Sequence, residues 1–159
     1  MKVEYGDIWK HLGEGRYVVI PTNLGWKKDG CNVMGAGLAK DATRRYPTLA
    51  KWYGGVCETT ADAPQVIACP FAPLIMFPVK PLNKLQPWMS WKQKADLKLI
   101  EQSARQLYEW PDPYPIAVPL VGCGNGQLDM YEVRPILEKY LASDRFTLVL
   151  EEWRNPSRS

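Results

Sequence analysis

The sequence predicts an α/β fold, a layered sheet with helices on both faces. Short, unbroken apolar runs such as Tyr17-Val18-Val19-Ile20 have the character of strands buried on both sides. Amphipathic stripes at helical spacing alternate with these runs, at Leu38-Ala39-Ala42-Tyr46, Leu97-Ile100-Ala104-Leu107-Tyr108 and Val133-Ile136-Leu137-Tyr140-Leu141. Strands alternating with helices along one chain favour a largely parallel sheet covered by its crossover helices.

In chain order, the run Tyr17 to Ile20 is bounded by Gly15 and Pro21 and reads as a central strand. From Gly35 onward, Leu38, Ala39, Ala42 and Tyr46 line one helix face while Lys40, Asp41, Arg44 and Arg45 fill the other, and Pro47 ends it. Gln65-Val66-Ile67-Ala68-Cys69 and Leu74-Ile75-Met76-Phe77 are two strands joined by a turn containing Pro70 and Pro73, most simply a hairpin. Ser90 with Gln93 forms a capping-box pair that would open the second long helix. Ile116-Ala117-Val118-Pro119-Leu120-Val121 is another buried strand, and Pro119 places it at a sheet edge or marks the strand's end. Asp129 and Glu132 cap the third stripe, and Phe146-Thr147-Leu148-Val149-Leu150 closes the sheet. Residues 153–159 are expected to fray. Neither an internal repeat nor a low-complexity linker is evident.

At 159 residues and 18.1 kDa the chain has the size of one domain. Its 46% hydrophobic and 23% charged residues exclude a disordered or fibrous class. A net charge of +3 is too mild to name a partner. His11 is the single histidine, which excludes His-rich zinc sites, H-E-x-x-H proteases and most triads. Any chemistry falls to Lys, Asp, Asn or backbone, and a metal-independent site without a cofactor is expected. Cys31, Cys57, Cys69 and Cys123 are widely spaced, and with no apolar leader at residues 1–5 the expectation is a reduced, cytoplasmic protein. The apolar stretch 68–79 is broken by Pro70, Pro73 and Pro78 and falls short of the roughly 20 residues that span a bilayer, so no membrane partner is expected.

Two loops share one construction, in which a buried strand ends, a glycine-rich turn follows and an amphipathic helix begins. The first is Asn32-Val33-Met34-Gly35-Ala36-Gly37-Leu38-Ala39, the second Gly122-Cys123-Gly124-Asn125-Gly126-Gln127-Leu128-Asp129. Loops at the carboxyl ends of strands are where open α/β sheets bind ligands. Glycines let backbone N–H groups approach an oxyanion, and a helix N-terminus adds partial positive charge. A pair of such loops suits a diphosphate.

These segments resemble, in order and over most of the chain, the macrodomains, a family that binds ADP-ribose. Gly6-Asp7-Ile8 is similar to the family's opening element, Pro21-Thr22-Asn23 to its strand-end asparagine, and the two glycine loops to its phosphate loops. Phe77-Pro78-Val79-Lys80 resembles the lysine segment of one branch, the DarG-type DNA ADP-ribosyl glycohydrolases and related terminal ADP-ribose glycohydrolases. The resemblance implies a three-layer α/β/α macrodomain-like mixed sheet over residues 1–152, followed by a tail at 153–159. It implies ADP-ribose held by Asp7, Ile8, Asn23, Met34, Gly35, Ala36, Gly37 and Leu38, and by Gly122, Cys123, Gly124, Asn125, Gly126, Gln127 and Leu128. Asp7 would accept from the adenine amino group, Asn23 would face the distal ribose or orient water, and Lys80 would assist cleavage at the anomeric carbon through a Schiff-base species.

Local chemistry leaves a plainer role open beside each of these. Asp7 could cap a short turn, Asn23 could form an Asx-turn, and Lys80 could be a solvated residue guarding a strand end. The sequence departs from the branch in two places. Gly126 stands where some of these glycohydrolases carry an acid, with Asp129 better suited to capping a helix, and Leu24-Gly25-Trp26-Lys27-Lys28-Asp29-Gly30 is a long insertion that forms either a flap over the ligand or a mobile surface loop. Trp88 and Trp91 with Lys92 and Lys94 could stack and neutralise single-stranded nucleic acid, or could simply close a core. The expectation is a monomeric hydrolase that removes ADP-ribose from modified nucleic acid, DNA included, or from protein. The alternatives are an ADP-ribose 1''-phosphate phosphatase and a reader without turnover.

Overall fold

In the computed structural model, which describes residues 1–111 and 114–157, the buried runs become the strands of one mixed sheet. The strands are β1 (Lys2–Tyr5), β2 (Tyr17–Asn23), β3 (Ile67–Ala68), β4 (Leu74–Lys80), β5 (Ile116–Val118) and β6 (Phe146–Leu150), in the order β1-β6-β5-β2-β4-β3. All neighbours are parallel except β3, which pairs antiparallel to β4 through Ile67↔Met76 and Ala68↔Ile75, the expected hairpin. The helices are α1 (Gly37–Arg45), α2 (Leu49–Thr59), α3 (Leu97–Tyr108) and α4 (Met130–Tyr140), with 3-10 turns at Ile8–Glu14, Pro87–Lys92 and Glu152–Arg154.

Successive residues of a strand point to opposite faces, and here each face has its own core. Val19, Ile75, Phe77, Ile116, Val118, Phe146 and Leu148 pack with Ile100, Ala104 and Leu107 of α3 and Val133 and Leu137 of α4. Val18, Ile20, Leu74, Met76, Ala117 and Val149 pack with Ala42 of α1, Leu49, Tyr53 and Cys57 of α2, and Ile8. Each fully buried Leu, Ile or Phe contributes about 1.5–3 kcal/mol over exposure, which fixes β2 at the centre, where both faces are covered.

Several elements differ from the expectation. The helix near Ser90 begins later, at Leu97, because Asp96 supplies the cap by accepting from the Lys98 N–H at 2.9 Å. Ser90 is buried instead, and its hydroxyl accepts from the Asn83 N–H at 2.9 Å. Pro119 marks the end of β5 and not a sheet edge, since β5 lies between β6 and β2. The predicted fraying does not hold for residues 153 and 154, which belong to the last 3-10 turn; residues 158 and 159 of that tail lie outside the described residues. Strand β1 and helix α2 were not evident, the first a short polar edge and the second interrupted by Gly54-Gly55.

Gly54 shows why that helix needs a glycine. A Cβ there would sit 1.8 Å from the Gly30 carbonyl oxygen and 2.7 Å from the Asn32 nitrogen, so α2 is the surface on which the 24–31 excursion rests. Gly54→Ala is expected to cost about 2–3 kcal/mol, because backbone must move to admit the methyl. Urea unfolding measures it, and a cost below about 0.5 kcal/mol contradicts the packing.

Candidate active site

Strands β2 and β5 pair only through Tyr17↔Ile116 and Val18↔Ala117. Beyond that point Pro21 and Pro119 offer no N–H to a ladder, and the strands part toward their carboxyl ends. This is also where the chain switches direction across the sheet, the place where open α/β folds form a crevice. A cleft of about 1050 Å³ opens there.

Both glycine loops line this cleft, the first following β2 and the second β5. They approach closely, since a Cβ on Gly37 would lie 3.3 Å from Asn125 Nδ2. Helix α1 opens from the first loop with Ala36 at its N-cap, no side-chain cap and no acid in its first turn. Its leading N–H groups and positive dipole end therefore remain available to an anion in the cleft. At Gly35 and Gly124 no atom of the described residues beyond the chain neighbours lies within 4 Å of an added Cβ, so the space above those backbones is open. Gly126 is the opposite case, with Gly122 O at 2.5 Å and Ala95 Cβ at 2.8 Å. The second loop is packed so tightly there that no side chain, acidic or otherwise, fits without displacing backbone. Gln127 holds φ 65° and Gly122 φ 74°, the left-handed conformations that bend the loop back, with the Leu128 N–H on Gly122 O at 2.9 Å.

Asn23 and Lys80 are partners across two strands. The register of β2 with β4 runs Thr22↔Pro78 and then Asn23↔Lys80, skipping Val79, so a bulge brings the lysine level with the asparagine at the cleft floor. Both line the cleft. Lys80 is half-buried, and desolvation holds its pKa below the ordinary lysine value. Its Nζ donates to the Trp91 carbonyl at 2.7 Å. The Asn23 side chain does form the Asx-turn, its Oδ1 accepting from the Gly25 N–H at 3.0 Å. That oxygen also accepts from Asn32 Nδ2 at 3.0 Å, while Asn23 Nδ2 donates to Val33 O at 2.8 Å. Cys123, in the second loop, is pushed up to about 11 by burial and is a neutral thiol at physiological pH.

At the other end, Gly6 extends the β1–β6 pairing through its N–H on Leu150 O at 2.9 Å and delivers Asp7 and Ile8 to the cleft. Asp7 caps the following turn, accepting from the Trp9 N–H at 3.0 Å, and still lines the cleft. Met34, Ala36 and Leu38 line it as well. Leu128 does not; it turns into the core beside Val121 and Ile100 because the left-handed Gln127 reverses the loop. The insertion is neither flap nor free loop. Leu24 and Gly25 are buried, Trp26 packs against the α1–α2 core, and residues 24–30 do not line the cleft. Asp129 caps α4, accepting from the Tyr131 N–H at 2.8 Å. Trp91 and Lys92 line the cleft, whereas Trp88 stands outside it.

Reading the sequence missed Trp9, Asp41, Leu120, Glu151 and Arg154, all of which line the cleft. Arg154 lies with its guanidinium 4.2 Å from the centre of the Trp153 ring and its Nε 3.9 Å from Glu151 Oε2. No motif marks these residues; Trp9 follows Ile8 in the first 3-10 turn, Asp41 lies on α1, Leu120 follows β5, and Glu151 and Arg154 follow β6. Among the described residues, no cluster of three His, Cys, Asp or Glu side chains could hold a metal, and no helix is long and apolar enough to cross a membrane.

Neither a family model nor a curated protein matches the sequence. The fold does match solved structures. It superposes on Thermosipho africanus DarTG in complex with ADP-ribose with a TM-score of 0.68 and 22% identity, over 89% of this chain and 40% of that one. It matches the macrodomain of Mycobacterium tuberculosis DarG (TM-score 0.66, 25% identity, 94% and 96% of the two chains) and that of Thermus aquaticus DarG (0.67, 24%, 95% and 97%). The chain thus has the α/β fold of a macrodomain. Within that fold it is close to the DarG type, and it spans 40% of the DarTG chain's length.

The glycines separate packing from recognition. Gly126→Ala is expected to lose about 1–3 kcal/mol, while Gly124→Val, in open space, stays within about 0.5 kcal/mol of the parent in the same denaturation experiment. Equal losses would mean that the loop backbone is not placed as described.

Proposed function

We propose that the chain binds ADP-ribose in this cleft and hydrolyses the bond joining its distal ribose to a modified macromolecule. The diphosphate lies between the two glycine loops, the adenine toward Asp7 and Ile8, and the distal ribose toward Asn23 and Lys80. The observation that carries this reading is the meeting of two amide-lined turns with the Asn23–Lys80 pair in one cleft. The cleft volume suits an extended ligand. That Thermosipho africanus DarTG was solved with ADP-ribose supports the choice of ligand.

In this mechanism the neutral Lys80 amine attacks the anomeric carbon of the distal ribose. The bond to the macromolecule breaks with its electron pair on the departing atom, which takes up the proton lost by the lysine nitrogen. The sugar ring opens to an imine with Lys80, and water hydrolyses it to ADP-ribose and the free amine. Burial of Lys80 favours the neutral form that attacks. No metal or cofactor is required by this route. The exposed Trp88 and Trp91 with Lys92 and Lys94, beside the lysine end of the cleft, favour single-stranded nucleic acid as the modified macromolecule, through base stacking and phosphate contacts.

A second reading rests on the Lys80–Trp91 contact. A carbonyl acceptor stabilises the ammonium form, and a lysine kept in that state would leave a reader that holds ADP-ribose without turnover.

Calorimetry with ADP-ribose tests the ligand, and the absence of heat at millimolar ligand would overturn both readings. Incubation with ADP-ribosylated single-stranded DNA, ADP-ribosylated protein and ADP-ribose 1''-phosphate then separates hydrolase, phosphatase and reader. Lys80→Ala is expected to keep ADP-ribose binding and to lose turnover at least about 100-fold. Phosphate release indifferent to Lys80 would instead identify a phosphatase. Gly124→Val is expected to abolish binding while remaining folded.

The pH dependence follows from the sign of the lysine shift. The attacking amine is neutral, so the rate of the chemical step rises with pH and levels off through an inflection below the ordinary lysine value of about 10.4. Single-turnover rates against pH measure it, with Lys80→Arg inactive throughout. A rate that falls as pH rises would rule out the amine as nucleophile.

A further inference from the structure

Asn32 is 2% exposed and does not line the cleft, yet its side chain is the most heavily used donor near it. Its Nδ2 lies 3.0 Å from Asn23 Oδ1, 3.1 Å from Asn23 O and 2.8 Å from Gly25 O, with Cys57 Sγ at 4.0 Å. Its own N–H donates to Ala50 O on α2 at 2.9 Å. Among the described residues, the Oδ1 of the same residue is buried without a hydrogen-bond partner. Leaving such an oxygen unpaired is costly, so this carboxamide is held for its donor end.

What that donor end controls is the orientation of Asn23. A carboxamide can turn by half a revolution, exchanging oxygen and nitrogen. In the observed orientation Asn23 Oδ1 receives the Gly25 N–H and the Asn32 amide, and Nδ2 donates to Val33 O. In the reversed one, Nδ2 would face two donors and Oδ1 a carbonyl. With Oδ1 occupied twice and one Nδ2 hydrogen on Val33, the other Nδ2 hydrogen is what Asn23 has left for the cleft it lines.

We propose that Asn32 is a positioning residue that locks the Asn23 carboxamide with its amide toward the cleft, so that this end of the site selects a ligand presenting an acceptor oxygen there. The inference rests on the ADP-ribose reading, in which the acceptor is a distal-ribose oxygen. It also gives the long 24–30 insertion a role, since Asn32, just after it, ties Asn23 and Gly25 at its start to α2.

ADP is the discriminating probe, because it keeps adenosine and diphosphate but lacks the distal ribose. Calorimetry on the whole chain is expected to show ADP-ribose binding tighter than ADP. In Asn32→Asp, where a carboxylate replaces the donor, and in Asn32→Leu, where no donor remains, ADP-ribose affinity is expected to fall roughly tenfold toward that of ADP, with ADP affinity unchanged. A merely structural role would weaken both ligands alike, and that result, or no change in either, overturns the proposal. Should neither variant fold, NMR on the parent decides. The Asn32 side-chain amide protons are expected to exchange slowly, and the Asn23 Nδ2 signal, identified by its absence in Asn23→Asp, to shift with ADP-ribose and not with ADP. Fast exchange at Asn32, or equal Asn23 shifts with both ligands, overturns it. A parent that binds ADP but gains nothing from the ribose sinks this inference alone, whereas one that binds neither sinks the ADP-ribose reading as well.

Discussion

The gap between β2 and β5 is the constraint from which the site follows. Two parallel strands that stop pairing after Val18 and Ala117 leave a crevice in the middle of the sheet, and the loops leaving their carboxyl ends face one another across it. On its other side β2 stays paired with β4 to the end, with a one-residue bulge. One strand thus has an open flank that admits a ligand and a closed flank that carries Lys80 to the same place. Had β5 continued in register, the ladder would have filled the crevice and separated the loops.

The two glycine loops present mainly backbone to this crevice. The open faces above Gly35 and Gly124 and the uncapped start of α1 offer N–H groups, which are neutral and fixed before a ligand arrives. On the proposed reading, a diphosphate held this way needs no lysine of its own, which leaves Lys80 free for the ribose end. Two opposed influences act on it there. Desolvation disfavours its charge, and the Trp91 carbonyl favours it, so displacement of that carbonyl by a substrate would move the lysine toward the neutral amine.

Most of the sheet was legible because its strands are continuous apolar runs, and the loops because glycine spacing survives as a motif. Residues 146–150 and the Asp129 cap are seen as read. Helix α2 was hidden because Gly54-Gly55 interrupts its stripe, although Gly54 is required by the approach of Gly30 O, a tertiary demand with no local signature. Ser90 misled because its hydroxyl serves the Asn83 amide in the loop before its own 3-10 turn and not a helix start. Arg154 and Glu151 reach the cleft only because β6 sits beside β5, which adjacency along the chain does not reveal. Leu128 continues the glycine motif on paper, yet a left-handed Gln127 turns it into the core.

Gly126 bears on what chemistry the site can support. Its Cβ position is filled by Gly122 O and Ala95, so the absent acid is a consequence of how the second loop closes on the helix-capping segment at Asp96, and not a side chain lost from an otherwise open position. A route needing a carboxylate at that point of the loop would therefore need a different loop. The lysine route does not, because the proton required by the departing group is the one that Lys80 gives up on attack, and the same nitrogen regains its original state when water opens the imine. The tight turn at Gly126 and the proposed attack by Lys80 are consistent with each other in a way that neither residue shows alone.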